Sequence, residues 1–208
     1  MLIDVSMPIT PGSVFRKGTP PVQVDTQAFY HPSEGQFETT MICLPAHTAT
    51  HVDLVFSDRC IAPEQMIGNG KLIDIDPFSG EEPQLADIQR QVQIDRGDYV
   101  FLRTGWSQFA NSERYHDHPE IPLEIIEWLI SQRICAVGID ALGLALGRKH
   151  GEYDRLLAQS SSFVIENLVN LDMIPGREFK VYCFPLSMTN VDAIPARVLV
   201  EVEDVNGT

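Results

Sequence analysis

Short apolar runs, each closed by glycine, proline or aspartate, constrain this chain more than any other feature. They include "TTMICL" at 39–44, "KLIDID" at 71–76, "GDYVFLRTG" at 97–105, "ICAVGID" at 134–140, "FKVYCFPL" at 179–186 and "ARVLVEVE" at 196–203. Runs this short, rich in β-branched and aromatic residues and bounded by turn formers, read as strands rather than helices. Weak alternation at 2–6 and further apolar character at 22–27 add two more strands, and "TTMICL" lies in a strand over 37–44 that reads as a buried one. Helical periodicity is confined to three segments: a short one at 83–92, one at 122–132 with Pro122 near its first turn, and one at 151–159 with Leu156 and Leu157 facing the core. "SSFVIENLVNL" fits either a strand or a buried turn. Strands outnumber helices and two helices lie between strands, which predicts an α/β or α+β domain around a mixed sheet.

No repeat, low-complexity tract or long linker divides the 208 residues, so residues 1–208 are read as one domain. Acidic side chains number 29 against 15 basic, a net charge of −14 that disfavours nucleic acid and anionic membranes and favours cations. The longest apolar region, 121–147, is interrupted by Glu124, Glu127, Arg133 and Asp140 and cannot span a membrane. The N-terminus lacks a basic segment followed by an apolar one, so no signal peptide is expected. Cys43, Cys60, Cys135 and Cys183 form no Cys-x-x-Cys pair, and they read as small buried residues of a cytoplasmic protein.

The segment "AHTATHVDLVFSDR" places His47, His51 and Asp53 within seven positions. Imidazole and carboxylate are donors for a divalent ion, and three protein donors with an open position suit catalysis better than a closed structural site. On one helical turn His47 and His51 would share a face, which requires the chain to turn sharply after His51 for Asp53 to converge. Position 48 is threonine, so this is not the His-Glu-x-x-His arrangement of metalloproteases. Glu166, within "FVIENL", is a carboxylate in apolar surroundings, costly to bury unless paired or metal-bound.

These residues carry a resemblance. "HTATHVD" resembles the His-x-Gly-Thr-His-x-Asp-x-Pro-x-His signature of the cyclase family of metal-dependent hydrolases, which includes bacterial kynurenine formamidases and has isatin hydrolase as a relative. "IDVSMPIT", "GDYVFLRTGWS", "VGIDALGL", "LLAQSSSFVIENLVNLDMIP" and "FPLSMTNVDAIPARVL" resemble further segments of that family in the same order. The resemblance implies a swivelling β/α/β-like α/β fold, homodimers or homotetramers, and hydrolysis of a carbon–nitrogen bond in a small amide or lactam by metal-activated water. N-formylkynurenine, a formamide of tryptophan catabolism, is the substrate best known for it.

Residue by residue, the resemblance makes His47, His51, Asp53 and Glu166 metal ligands, with Glu166 also a candidate acid/base. Four positions depart from it. Ala49 stands for a glycine, Val55 for a proline, Ser57 for the third histidine and Tyr153 for a later histidine. Ala49 either strains its loop or shifts it slightly. With no imidazole at 57 or 153, a single zinc or manganese ion per chain is expected. Ser57 or Tyr153, through water, or Glu166 would then shuttle protons, and His150 is either a substitute donor or a solvated loop residue.

Phe15 and Trp106 are candidates for a substrate wall or for ordinary packing. Asp140 either belongs to the site or caps a turn, and Arg103 and Arg197 are expected in carboxylate pairs. His31, His116 and His118 read as solvated loop residues. Two alternatives stand beside the arylformamidase-like hydrolase: a catalytically impaired member that binds a metal or small ligand, and a hydrolase opening an isatin- or lactone-type ring.

Overall fold

The structure, a computed structural model, describes residues 1–78 and 81–203. In chain order the strands are β1 (Leu2–Asp4), β2 (Gln23–His31), β3 (Gly35–Cys43), β4 (His51–Asp53), β5 (Ile67–Asp74), β6 (Tyr99–Arg103), β7 (Ala136–Ile139), β8 (Phe163–Glu166), β9 (Glu178–Pro185) and β10 (Ala193–Glu201). The α-helices are α1 (Leu85–Gln89), α2 (Leu123–Ser131) and α3 (Gly147–Gln159).

Seven strands close on themselves in the order β10-β4-β8-β7-β6-β5-β9, because β10 pairs with β9 as well as with β4. The run β5 to β8 is parallel and the other pairings are antiparallel. β1 joins as a short extra strand on the far end of β10, Ile3 opposite Val200. The expected mixed α/β sheet is therefore present, and it closes into a barrel.

Period-two alternation divides the apolar residues between two cores. In β6, Tyr99 and Phe101 join the cluster inside the barrel, while Val100 and Leu102 join the cluster outside it. The outer cluster is covered by Ile88 of α1, Ile125, Ile126 and Leu129 of α2, and Leu157 of α3. β6, β7 and β8 are buried on both faces, which is why their sequences run apolar almost without interruption. Arg197 pairs with Asp4 at 2.6 Å and Arg103 with Asp74 at 2.6 Å, both as the sequence predicts.

Four expectations need correction. β3 is not buried: among the described residues it pairs only with β2, and the hairpin is exposed along nearly its whole length because it stands outside the barrel sheet. Leu156 is 38% exposed, since only Leu157 falls on the face of α3 that meets the barrel. Of the cysteines only Cys183 is buried; Cys43 and Cys60 are exposed and Cys135 is half-buried, all as free thiols. His118 is buried and His116 half-buried, because their turn folds back over the domain.

The interior is tightest beside β7. A Cβ on Gly138 would lie 2.7 Å from both Leu168 Cδ1 and Phe101 Cδ1. Gly138→Ala is therefore expected to lower stability by about 1–3 kcal/mol through overpacking, read as a fall in the denaturant midpoint with unchanged slope.

Candidate metal centre

Two short strands build the floor of the centre. β4 and β8 pair antiparallel with His51 opposite Glu166 and Asp53 opposite Val164. Val52 and Ile165 point into the barrel, so His51, Asp53 and Glu166 share the opposite face, beneath α3. Two residues apart on a strand, His51 and Asp53 converge without the sharp turn expected after His51. The reversal occurs before it: Ala49 is fully buried and left-handed, with φ 51°. His47 and His51 thus lie on a turn and a strand, not on one helical turn.

This turn is anchored on all sides. The carbonyl of Ala49 accepts from His51 Nδ1 at 2.9 Å and from Asn167 Nδ2 at 2.9 Å. Thr50 Oγ1 donates to the carbonyl of Asn167 at 2.6 Å and accepts from the amide of Met7 at 2.7 Å. Because His51 Nδ1 carries a hydrogen for Ala49, Nε2 is the atom aimed at the carboxylates, the kind of outer support that orients a metal-binding imidazole. Val55 is also left-handed, φ 67°. Proline holds φ near −65°, so the backbone here cannot follow the family pattern.

His47 Nδ1 lies 2.9 Å from Asp53 Oδ1, and His51 Nε2 lies 3.4 Å from Asp53 Oδ1 and 3.3 Å from Glu166 Oε2. From α3, His150 and Asp154 descend one turn apart, with His150 Nε2 3.4 Å from Asp154 Oδ2 and 3.7 Å from Glu166 Oε1. Two overlapping donor groups result: His47, His51 and Asp53, and then Asp53, His150, Asp154 and Glu166. Asp53 Oδ1, Asp154 Oδ1 and Glu166 Oε1 are buried and receive no well-aimed hydrogen bond. Buried carboxylate oxygens left this way are costly, and a divalent cation is the partner that satisfies several at once. The residues present therefore fit a metal.

Sequence reasoning did not single out Asp154. The expectation of a single ion rested on missing donors at 57 and 153; the second group offers other donors, His150 and Asp154. The one available signal was the i, i+4 spacing of His150 and Asp154. Ser57 is exposed beyond Asp53, and Tyr153 is buried in the outer core; neither belongs to a donor group. Trp106 is buried, its indole N–H donating to the carbonyl of Tyr115 at 3.2 Å and its ring stacked on Phe78. Asp140 accepts from the amides of Thr104 and Gly105 at 2.8 Å each, so it caps that turn.

Phe15 does reach the centre. It lines a cavity of about 190 Å³ with His47, His51, His150 and Glu166, and it also lines a larger cavity of about 1070 Å³ next to it.

Without a metal, protons hold the cluster together. Burial disfavours a charged His51, but the carboxylates of Asp53 and Glu166 outweigh it and push its pKa up to about 10. His47 is raised too, burial being outweighed chiefly by Asp53. Burial, Glu166 and Asp53 push Asp154 up to about 9, and burial and Asp53 raise Glu166. Burial also opposes the charge on Asp53, yet the adjacent His47 and His51 rings hold it below the usual carboxylate range.

His51 binds its proton more tightly folded than unfolded. The stability this supplies is complete below pH 6.5 and is lost as pH rises through about 10. Asp154 acts in the same direction between 3.8 and about 9. The melting temperature of chelator-treated protein is therefore expected to fall as pH rises from 6.5 towards 10. Saturating zinc or manganese should flatten or reverse that slope, since metal competes with protons for the same atoms; a rising melting temperature in chelator would contradict the assignment.

The comparisons with known proteins agree with this fold. The family profile described as putative cyclase matches residues 3–145. An isatin hydrolase of Roseibium aggregatum is 24% identical over 89% of this chain and 82% of its own. A kynurenine formamidase of Bacillus cytotoxicus is 23% identical over 95% and 96%. Among solved structures, an isatin hydrolase bound to the product analogue thioisatinate superposes with a TM-score of 0.78, 22% identity and coverage of 98% and 92%. A protein described as a potential metal-dependent hydrolase with cyclase activity gives 0.77, 25%, 98% and 99%. With more than half of its length matched by the family profile and its barrel shared with these proteins, the chain belongs to the cyclase family.

Proposed function

We propose that this protein is a metal-dependent hydrolase that cleaves a carbon–nitrogen bond of a small amide, arylformamidase-like, with N-formylkynurenine as its first candidate substrate. The observation that carries this reading is the group of buried carboxylate oxygens left without aimed donors among His47, His51 and His150. His47, His51, Asp53 and Glu166 would hold a divalent ion, zinc or manganese, both of which accept imidazole and carboxylate donors. A bound ion there supplies two things: it lowers the pKa of a coordinated water to about 7 and it polarises the carbonyl.

The chain's own residues do the rest. The Ala49 carbonyl fixes the tautomer of His51. Glu166 is taken up as a donor, and Ser57 and Tyr153 have no part in this reading. The 190 Å³ cavity is sized for the reacting amide, and the 1070 Å³ cavity that shares Phe15 and His116 with it receives the rest of the substrate. The likeness to isatin hydrolase favours a second substrate class, a lactam opened at its ring amide. We also read the exposed β2–β3 hairpin, which carries Phe29, Phe37, Met41 and Ile42, as a contact surface of a homodimer.

Assays with N-formylkynurenine and isatin, alongside elemental analysis, test the reading. His51→Ala is expected to lose most of its metal and its turnover together; retention of both would refute it. Turnover of neither compound by metal-loaded wild type would favour a ligand-binding role. At Gly143 a Cβ would stand 2.4 Å from His150 Nδ1 and 2.9 Å from Glu166 Oε1. Gly143→Ala should therefore displace both and reduce the metal bound per chain, read by elemental analysis.

A further inference from the structure

Five of the six histidines of this chain line the 190 Å³ cavity: His47, His51, His116, His118 and His150. Three of them belong to the donor groups. His116 and His118 do not; they come from the turn that follows Tyr115. A chain that keeps two further imidazoles at the mouth of a metal centre has placed proton-carrying groups there, and one of them is set up in detail.

His118 is 4% exposed, whereas its neighbour His116 is only half-buried. Its Nδ1 lies 3.0 Å from the carbonyl of Pro119. A carbonyl can only accept, so Nδ1 carries the ring hydrogen and donates it there. In the neutral ring Nε2 is then a bare lone pair, and among the described residues it has no hydrogen-bond partner. The ring borders the same cavity as Glu166 and Asn167. Burial favours its neutral form; Glu120 and His116 on its own loop and His150 on α3 are the charged or titratable groups acting on it. Ser57, which stands where the family's third histidine would be, is exposed and does not line this cavity.

We propose that His118 is the proton-transfer group of this site, acting through Nε2. The proposal rests on the hydrolase reading above. As the water oxygen forms its bond to the amide carbon, one water proton passes to Nε2. The carbon–nitrogen bond then breaks, the same proton passes to the leaving nitrogen, and a carboxylic acid and an amine are released. Nothing else is consumed. In this reading Glu166 is taken up as a metal donor, with Oε2 also 3.3 Å from His51 Nε2, so the proton passes to another group.

Two variants separate this role from a structural one. His118→Asn keeps an N–H for the carbonyl of Pro119 and removes Nε2. His118→Ala opens a space that imidazole can enter. With the metal-loaded protein and N-formylkynurenine or isatin, both variants should bind wild-type amounts of metal and melt close to wild type, with kcat lower by about 10²–10⁴-fold. Added imidazole should restore part of the activity of His118→Ala. Independently of turnover, ring-nitrogen NMR of the metal-free protein should show His118 as the Nδ1–H tautomer. An Nε2–H ring, a His118→Asn variant within about twofold of wild type, or loss of activity without imidazole rescue overturns the proposal and leaves the hydrolase reading intact. A metal-loaded wild type that hydrolyses neither compound overturns both.

Discussion

The pairing of β4 with β8 is the constraint on which the rest of the centre depends. Each contributes only three or four residues, yet the register that sets His51 against Glu166 decides which side chains meet. A slip of one residue would turn His51 and Asp53 into the barrel and Val52 out of it. The register is held from both flanks. β10 pairs Pro195 with His51 and Ala193 with Asp53 on one side, and β7 runs parallel to β8 on the other. Closing the barrel therefore serves to fix an arrangement of buried charges that an open sheet would leave free to shift.

Those charges need a rigid frame because they are costly to bury. Asp53 and Glu166 lie beneath α3 and Asp154 reaches down from it, while His47, with Asp192 at 3.2 Å from its Nε2, reaches towards solvent. A proton on His51 and a divalent ion answer the same demand. The centre consequently couples protonation, metal loading and the seating of α3, whose His150 and Asp154 form one wall. The anchored turn at Ala49 supports this by pinning the histidine segment to Asn167 and Met7.

Much of this was legible in the sequence. Apolar runs marked β5, β6, β7, β9 and β10, while the run that forms β8 fitted a strand or a buried turn, and His47, His51 and Asp53 stood out as three donor side chains within seven positions. Glu166 was legible as a carboxylate in an apolar run. What was hidden depends on contacts between distant segments. Nothing local to "TTMICL" says that no other element will cover it. The histidines of "ERYHDHPE" look like solvated loop residues until that turn folds over the centre. By pattern His150 is a loop residue or a substitute donor and Asp154 draws no notice, and only the docking of α3 on β8 brings both to the donor group. Tyr153 drew attention by alignment, while its neighbour one position on faces the centre.

The β2–β3 hairpin has a consequence of a different kind. Within the barrel each strand's backbone is paired on both sides, and β1 offers a free border only three residues long. The hairpin instead carries nine-residue strands whose outer amide and carbonyl rows meet no other strand among the described residues. Edge-to-edge growth of a sheet needs such a row. Strand addition between molecules, whether as ordered assembly or as aggregation, is therefore channelled to this arm and kept away from the barrel that carries the chemistry.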